Sequence, residues 1–157
     1  MTEDLNQNMR TNFDFMQAEW PDIYESATMA EKNLFQDPRA ACFYARRALE
    51  HGVEWLYRND DYLQMPKHSQ ALGAMINEQS FKENLDHGLM AKLVAIQRLG
   101  NIAVHQRRAI ESDYSLQSVK ELFHFCYFIY RYYSSIPKRN DIGAFKDRKS
   151  TRLTSSH

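Results

Sequence analysis

Along most of this chain the apolar residues return every three or four positions, the period of one buried helix face. The clearest run opens at Asp37-Pro38, an N-cap residue followed by a proline suited to a helix's first turn. Cys42, Ala45, Leu49, Gly52, Val53 and Leu56 then mark one side of a helix expected to reach about Arg58. Pro21 gives the same start signal for an earlier helix, continued by Ile23, Tyr24, Ala27, Ala30, Leu34 and Phe35. A short amphipathic stretch from Asn12 to Trp20 precedes it, anchored by Phe13, Phe15 and Met16. From Asn59 to His68 the period lapses, so a loop is expected, with Leu63 and Met65 dipping toward the core. Short helical pieces are expected over 69–76 and 81–85, then a longer helix over 87–105 with Leu89, Leu93, Ile96, Gly100 and Ala103 along one side. Gly100 costs that helix about 1 kcal/mol relative to alanine, which points to a close helix contact or a break. Residues 111–115 supply turn and capping chemistry. The last helix, 116–134, is apolar around most of its circumference through Leu116, Val119, Leu122, Phe123, Cys126, Ile129, Tyr130 and Tyr133. Such a helix belongs at the centre of a bundle or in an interface.

The pattern therefore predicts an all-α fold, a single bundle of about five or six helices. The helices beginning at Asp37, His87 and Leu116 are expected at its centre. The domain reading is a disordered N-terminus over 1–11, a helical domain over 12–134 and the start of a linker over 135–146, where Pro137 and Gly143 interrupt any period. The remaining stretch, 147–157, reads DRKSTRLTSSH and has one apolar residue. It matches the read-through translation of a sequencing-library adapter except at Thr154. It is taken as a non-native tail, with the natural protein continuing past Lys146.

Composition narrows the class. With 43% hydrophobic residues and only 5 Gly and 4 Pro in 157 residues, the chain is globular and of one-domain size. Twenty Lys+Arg balance twenty Asp+Glu, so no overall basic charge advertises a non-specific grip on nucleic acid. No apolar run approaches the roughly 18 residues of a membrane span, and the acidic N-terminus has no secretory core, so a cytoplasmic protein is expected. Cys42 and Cys126 fall inside apolar helical patterns and are read as two buried thiols. Phosphate-binding loops, dinucleotide fingerprints and zinc motifs are all missing from the sequence.

One polar constellation stands out: Arg98, Asn101 and His105. Arg98 and His105 lie two turns apart on one helix face, with Asn101 a turn before the histidine. An arginine can hold a phosphate with two hydrogen bonds while an imidazole moves a proton, the pairing a ribonuclease needs. The spacing is similar to the R-x(4–6)-H signature of HEPN domains, although Arg46 to His51 fits it as well. The competing reading makes Arg46, Glu50, Arg98, Asn101 and His105 a partly buried polar network that fixes helix register, with Glu50 beside Arg98. Arg107 and Arg108 are the candidates for nucleic-acid contact. His124 and Cys126, two residues apart, do not converge on a helix, so no metal site is expected. The aromatic series from Phe123 to Tyr133 follows helical spacing and is read as core and interface rather than as a base-stacking platform.

Three blocks then stand in order: NFDFMQAEWPDIYESATMAEKNLFQDPRAACFYARRALE, LMAKLVAIQRLGNIAVH and SLQSVKELFHFCYFIYRYY. Together they resemble the N-terminal helical domain of type I restriction enzyme R subunits, a domain of unknown function related to HEPN folds. The resemblance rests on Asn12-Phe13 and Phe15, Ala30-Glu31, Asp37-Pro38, Arg46 with Glu50, and Arg98, Gly100, Asn101, Ala103 and His105. It implies a parent enzyme that cleaves DNA after ATP-driven translocation. Such a parent uses ATP and Mg²⁺ and works with methylation and specificity subunits. The motor and nuclease motifs it needs are not in this chain, so this piece is expected to be an accessory, non-catalytic domain. The alternative is a stand-alone HEPN-like RNase or toxin that uses Arg98 and His105, with a site built across a homodimer. Leu99 departs from the active RNases, which carry a polar residue after the arginine.

Overall fold

The computed structural model describes residues 10–136 and 142–147. Expectations for the first nine residues and for the tail beyond Asp147 lie outside the described residues. A 3-10 turn, Asp14–Met16, leads into six α-helices among the described residues: α1 (Pro21–Lys32), α2 (Pro38–Asn59), α3 (Leu72–Asn77), α4 (Gln79–Asn84), α5 (Leu89–His105) and α6 (Ser112–Tyr133). The all-α bundle is as the apolar period predicts. None of these helices is long and apolar enough to cross a membrane.

Helix starts follow local chemistry. Pro21 and Pro38 occupy first-turn positions, and the Asp37 carboxylate accepts the Ala40 N–H at 3.1 Å. α5 begins at Leu89 rather than His87 because Gly88 takes a left-handed φ of 83°, which stops the helix from running back. α6 begins a turn earlier than its apolar pattern, at Ser112. The residues expected as a turn form its first turn instead. Fully buried Ser115 is tolerated there because its hydroxyl donates to the Leu34 carbonyl (2.8 Å) and lies 2.9 Å from the Ser112 carbonyl.

α2, α5 and α6 pack on one another, with α1 laid along α2 and the short α3–α4 pair beside α2 and α5. Phe13, Met16, Ile23, Leu49, Leu56, Phe81, Leu93, Ile96, Leu122, Phe125 and Ile129 fill the core. The aromatic series of α6 divides as its helical period requires. Phe123, Phe125, Phe128 and Tyr130 are buried, while Tyr127 and Tyr132 face out. Two glycines set how closely helices approach. A Cβ on Gly52 would stand 2.6 Å from the Phe125 ring, and one on Gly100 would stand 2.5 Å from Arg46 Cδ. Cys42 and Cys126 are buried free thiols. Burial pushes the Cys42 thiol up to about 11 and drives Cys126 higher still.

The chain after α6 is held against the bundle at two places. The Glu19 carboxylate accepts from the Ser134 hydroxyl (2.5 Å) and from the Ser135 N–H and hydroxyl (3.0 Å each). Further on, Phe145 meets the Phe123 ring edge-on at 5.7 Å, and Asn12 exchanges hydrogen bonds with the Lys146 backbone at 2.8 and 3.0 Å. Asn12 also donates to the Glu31 carboxylate from its amide N–H (3.1 Å) and its side chain (2.9 Å).

Candidate functional site

α5 carries the polar constellation, and its two sides have different neighbours. Leu99, Gly100 and Ala103 are buried on one side, and the Arg46 side chain from α2 lies directly over Gly100. At about 100° per residue, Arg98 falls roughly 160° around the helix from Gly100, and His105 roughly 140°. Both side chains are accordingly exposed, and Asn101, between them, is half-buried. The expected five-residue network is corrected on this point. Arg46 pairs with Glu50 at 3.5 Å along α2, whereas Arg98 and His105 stand on the opposite side of α5 from the α2 contact. The physical reason is geometric: a helix face that presents glycine to a neighbour cannot also present residues two positions before and five after it.

A shallow groove of about 450 Å³ runs along this outer side, lined by Val94, Gln97, Arg98, Asn101, Ile102 and Gln106. Among the described residues its polar groups are a guanidinium and three carboxamides, with no carboxylate in the lining. That set favours an anionic or amide-rich occupant. His105 and the exposed Arg107 and Arg108 follow at the end of the helix.

Sequence reasoning missed the residue that orders this end. Arg39, in the first turn of α2, donates from Nη1 to the carbonyls of Ala103 (2.6 Å), Gln106 (2.8 Å) and Ile102 (3.3 Å). Its Nη2 donates to the Arg108 carbonyl. One guanidinium thus bonds four carbonyls at and just past the end of α5, one of which, Ile102, also accepts the Gln106 N–H, and its charge complements the helix dipole. Arg39 thereby fixes the backbone that presents Arg107 and Arg108. The contacts span 63 to 69 residues of sequence, so no local pattern could have announced them.

On the other flank, Lys92 of α5 meets His124 of α6 at 2.6 Å, and Glu121 lies 3.9 Å from the lysine and 3.8 Å from the imidazole. Burial, with Lys92 adding to it, holds the His124 imidazole below its ordinary value. No group of three or more metal-ligating side chains occurs among the described residues. A family model described as a domain of unknown function (DUF4145) matches residues 28–151. No curated protein and no solved structure matches the chain.

Proposed function

The chain belongs to the DUF4145 domain family, and from that premise we propose that it is an accessory N-terminal domain of a type I restriction enzyme R subunit. It contacts nucleic acid through the outer side of α5 and the turn after it. The observation that carries this reading is how the motif residues divide. Asn12 and Glu31 join the first block to α1, Asp37 caps α2, Arg46 pairs with Glu50, and Gly100 admits Arg46. The architecture uses each of them. Arg98, Asn101 and His105 belong to the same motif set and yet face a groove or solvent. With Arg107 and Arg108 they form a local cationic surface on a chain of zero net charge. The motor chemistry with ATP and Mg²⁺, and the methylation and specificity subunits, belong in this reading to the parent enzyme.

Fluorescence anisotropy with labelled single- and double-stranded oligonucleotides tests the reading. Binding should weaken with salt, and Arg98→Ala and the double variant Arg107→Ala/Arg108→Ala should each reduce both the affinity and the salt slope. Wild-type protein that binds neither oligonucleotide at low salt removes the nucleic-acid role. The parent assignment is read separately from genomic DNA: a stop codon directly after the codon for Lys146 removes it.

A second reading is favoured by the exposure of Arg98 on the groove and of His105 at the end of the helix, where a buried register-fixing pair would be expected if their role were structural. Here the domain is a metal-independent RNase in which Arg98 holds the phosphate and His105 moves the proton. Purified domain should then cleave single-stranded RNA in the presence of EDTA. His105→Ala should abolish the cleavage without changing the fold.

A further inference from the structure

A second cleft of about 450 Å³ opens where the end of α2, the α4–α5 connection and the end of α6 meet, lined by Asp60, Asn84, Asp86, Phe128, Tyr132 and Tyr133. Its apolar walls are aromatic rings. Phe128 and Tyr132 lie 5.2 Å apart at 57°, and Phe128 and Tyr133 lie 6.2 Å apart at 65°. Among the described residues its charges are two carboxylates from different elements, with no lysine or arginine in the lining. The side chains are set in place by one another. Tyr133 donates to Asp60 (2.6 Å) and accepts from Asn84 (2.6 Å), while Tyr132 donates to Asp86 (2.8 Å).

We infer that this cleft binds an organic cation, a guanidinium or alkylammonium group, between its aromatic rings and its two carboxylates. Ring faces attract a cation through their quadrupole, and carboxylates fix a planar guanidinium through charge-assisted hydrogen bonds. The molecule already uses one of these rings so: the Arg131 guanidinium lies 5.3 Å from the centre of the Tyr132 ring. A bare metal ion is the poorer fit, since no metal-binding group of side chains occurs here among the described residues and three of the six lining residues present ring carbon. Asp86 and Tyr132 are exposed, so both can meet a ligand entering from solvent. Asp60, Asn84 and Tyr133 are held further in and close the inner end. The cleft is built from residues outside the α5 groove, so it stands or falls independently of the nucleic-acid role.

The test is an NMR titration of the whole chain at constant ionic strength with three chloride salts: agmatine, N-acetyl-argininamide and magnesium. Saturable shifts centred on Asn84, Asp86, Phe128 and Tyr132 are expected with at least one guanidinium. The magnesium control should produce none. Tighter binding of agmatine marks a free small cation as the ligand, and tighter binding of the blocked arginine marks a protein side chain. Asp86→Asn should weaken binding by about tenfold or more, and Tyr132→Leu should weaken it as well. Both change exposed side chains, so the melting temperature should hold and the loss can be read as binding. Shifts that grow linearly with either guanidinium, that map elsewhere, or that survive Asp86→Asn overturn the inference, as do equal shifts with magnesium.

Discussion

The two sides of α5 carry neighbouring residues from one sequence block, and they have opposite environments. Toward α2, Gly100 is covered by Arg46, and Leu99 and Ala103 join Cys42 in a small buried cluster. Away from α2, Arg98, Asn101 and His105 meet a groove and solvent. A block recognised as one motif thus contains two kinds of residue, those that let helices approach and those that the approach turns outward. Recurrence of a residue in a motif does not by itself say which kind it is; its angle around the helix does.

Substitutions on the inner side should dominate stability. Gly100→Leu forces a side chain into space held by Arg46 and should cost about 3 kcal/mol in chemical denaturation, outweighing the gain of about 1 kcal/mol in helix propensity. A Gly100→Leu variant as stable as wild type would mean that the seam is looser than its geometry implies. Arg39→Ala comes next, at about 2 kcal/mol, because it leaves several carbonyls at the end of α5 without their charged donor. Hydrogen exchange in the 106–110 turn should rise with it. Glu50→Ala should cost less than about 1 kcal/mol, since the pair it breaks is a partly exposed one within a single helix.

Outer-side substitutions should move stability least. Arg98→Ala and His105→Ala should stay within about 0.5 kcal/mol of wild type while changing nucleic-acid binding or RNA cleavage. A large loss of stability from either would return that residue to a structural role. The smallest effect expected is a pH dependence on the α6 flank. His124 has its folded value pushed below 6.5, so its neutral form is favoured by folding. Its contribution is complete above the ordinary value and is lost as pH falls through the folded one. Melting curves from about pH 8 to about pH 5 should therefore fall less steeply in His124→Gln than in wild type.

Much of this comparison was legible in the sequence. Gly100 signalled a close helix contact, and the Asp37-Pro38 and Pro21 starts appear where the residues place them. The side of α5 was also available in principle. Taking Gly100 and Ala103 as the packed side puts Arg98 and His105 outside by the helical period alone, whereas the face they share with Ile102, itself buried, points to burial. Three features had no local signature. The αL turn at Gly88 shortened α5, the first turn of α6 hid behind Ser112 and Ser115, and Arg39 reached the far end of another helix. The last two depend on tertiary partners: Leu34 makes Ser115 tolerable, and the α5 carbonyls give Arg39 its position. The aromatic cleft was invisible for a related reason, since Tyr132 and Tyr133 carried a helical-core pattern while their hydroxyls met acids from distant segments.

Asn12 grips Glu31 and the Lys146 backbone together, so one spot fastens the polypeptide at residue 12 and again 134 residues later. Mechanically this resembles the neck of a pendant. A module fused ahead of residue 10 and another fused behind residue 147 would be anchored side by side, with the helices hanging off their junction rather than separating them. Tension applied between those two attachments would load the Asn12–Lys146 clasp first. The helical core would sit outside the force path until that clasp let go. The same closeness makes the bundle suited to circular permutation, since a short linker between the two anchored ends would replace a contact the fold already makes.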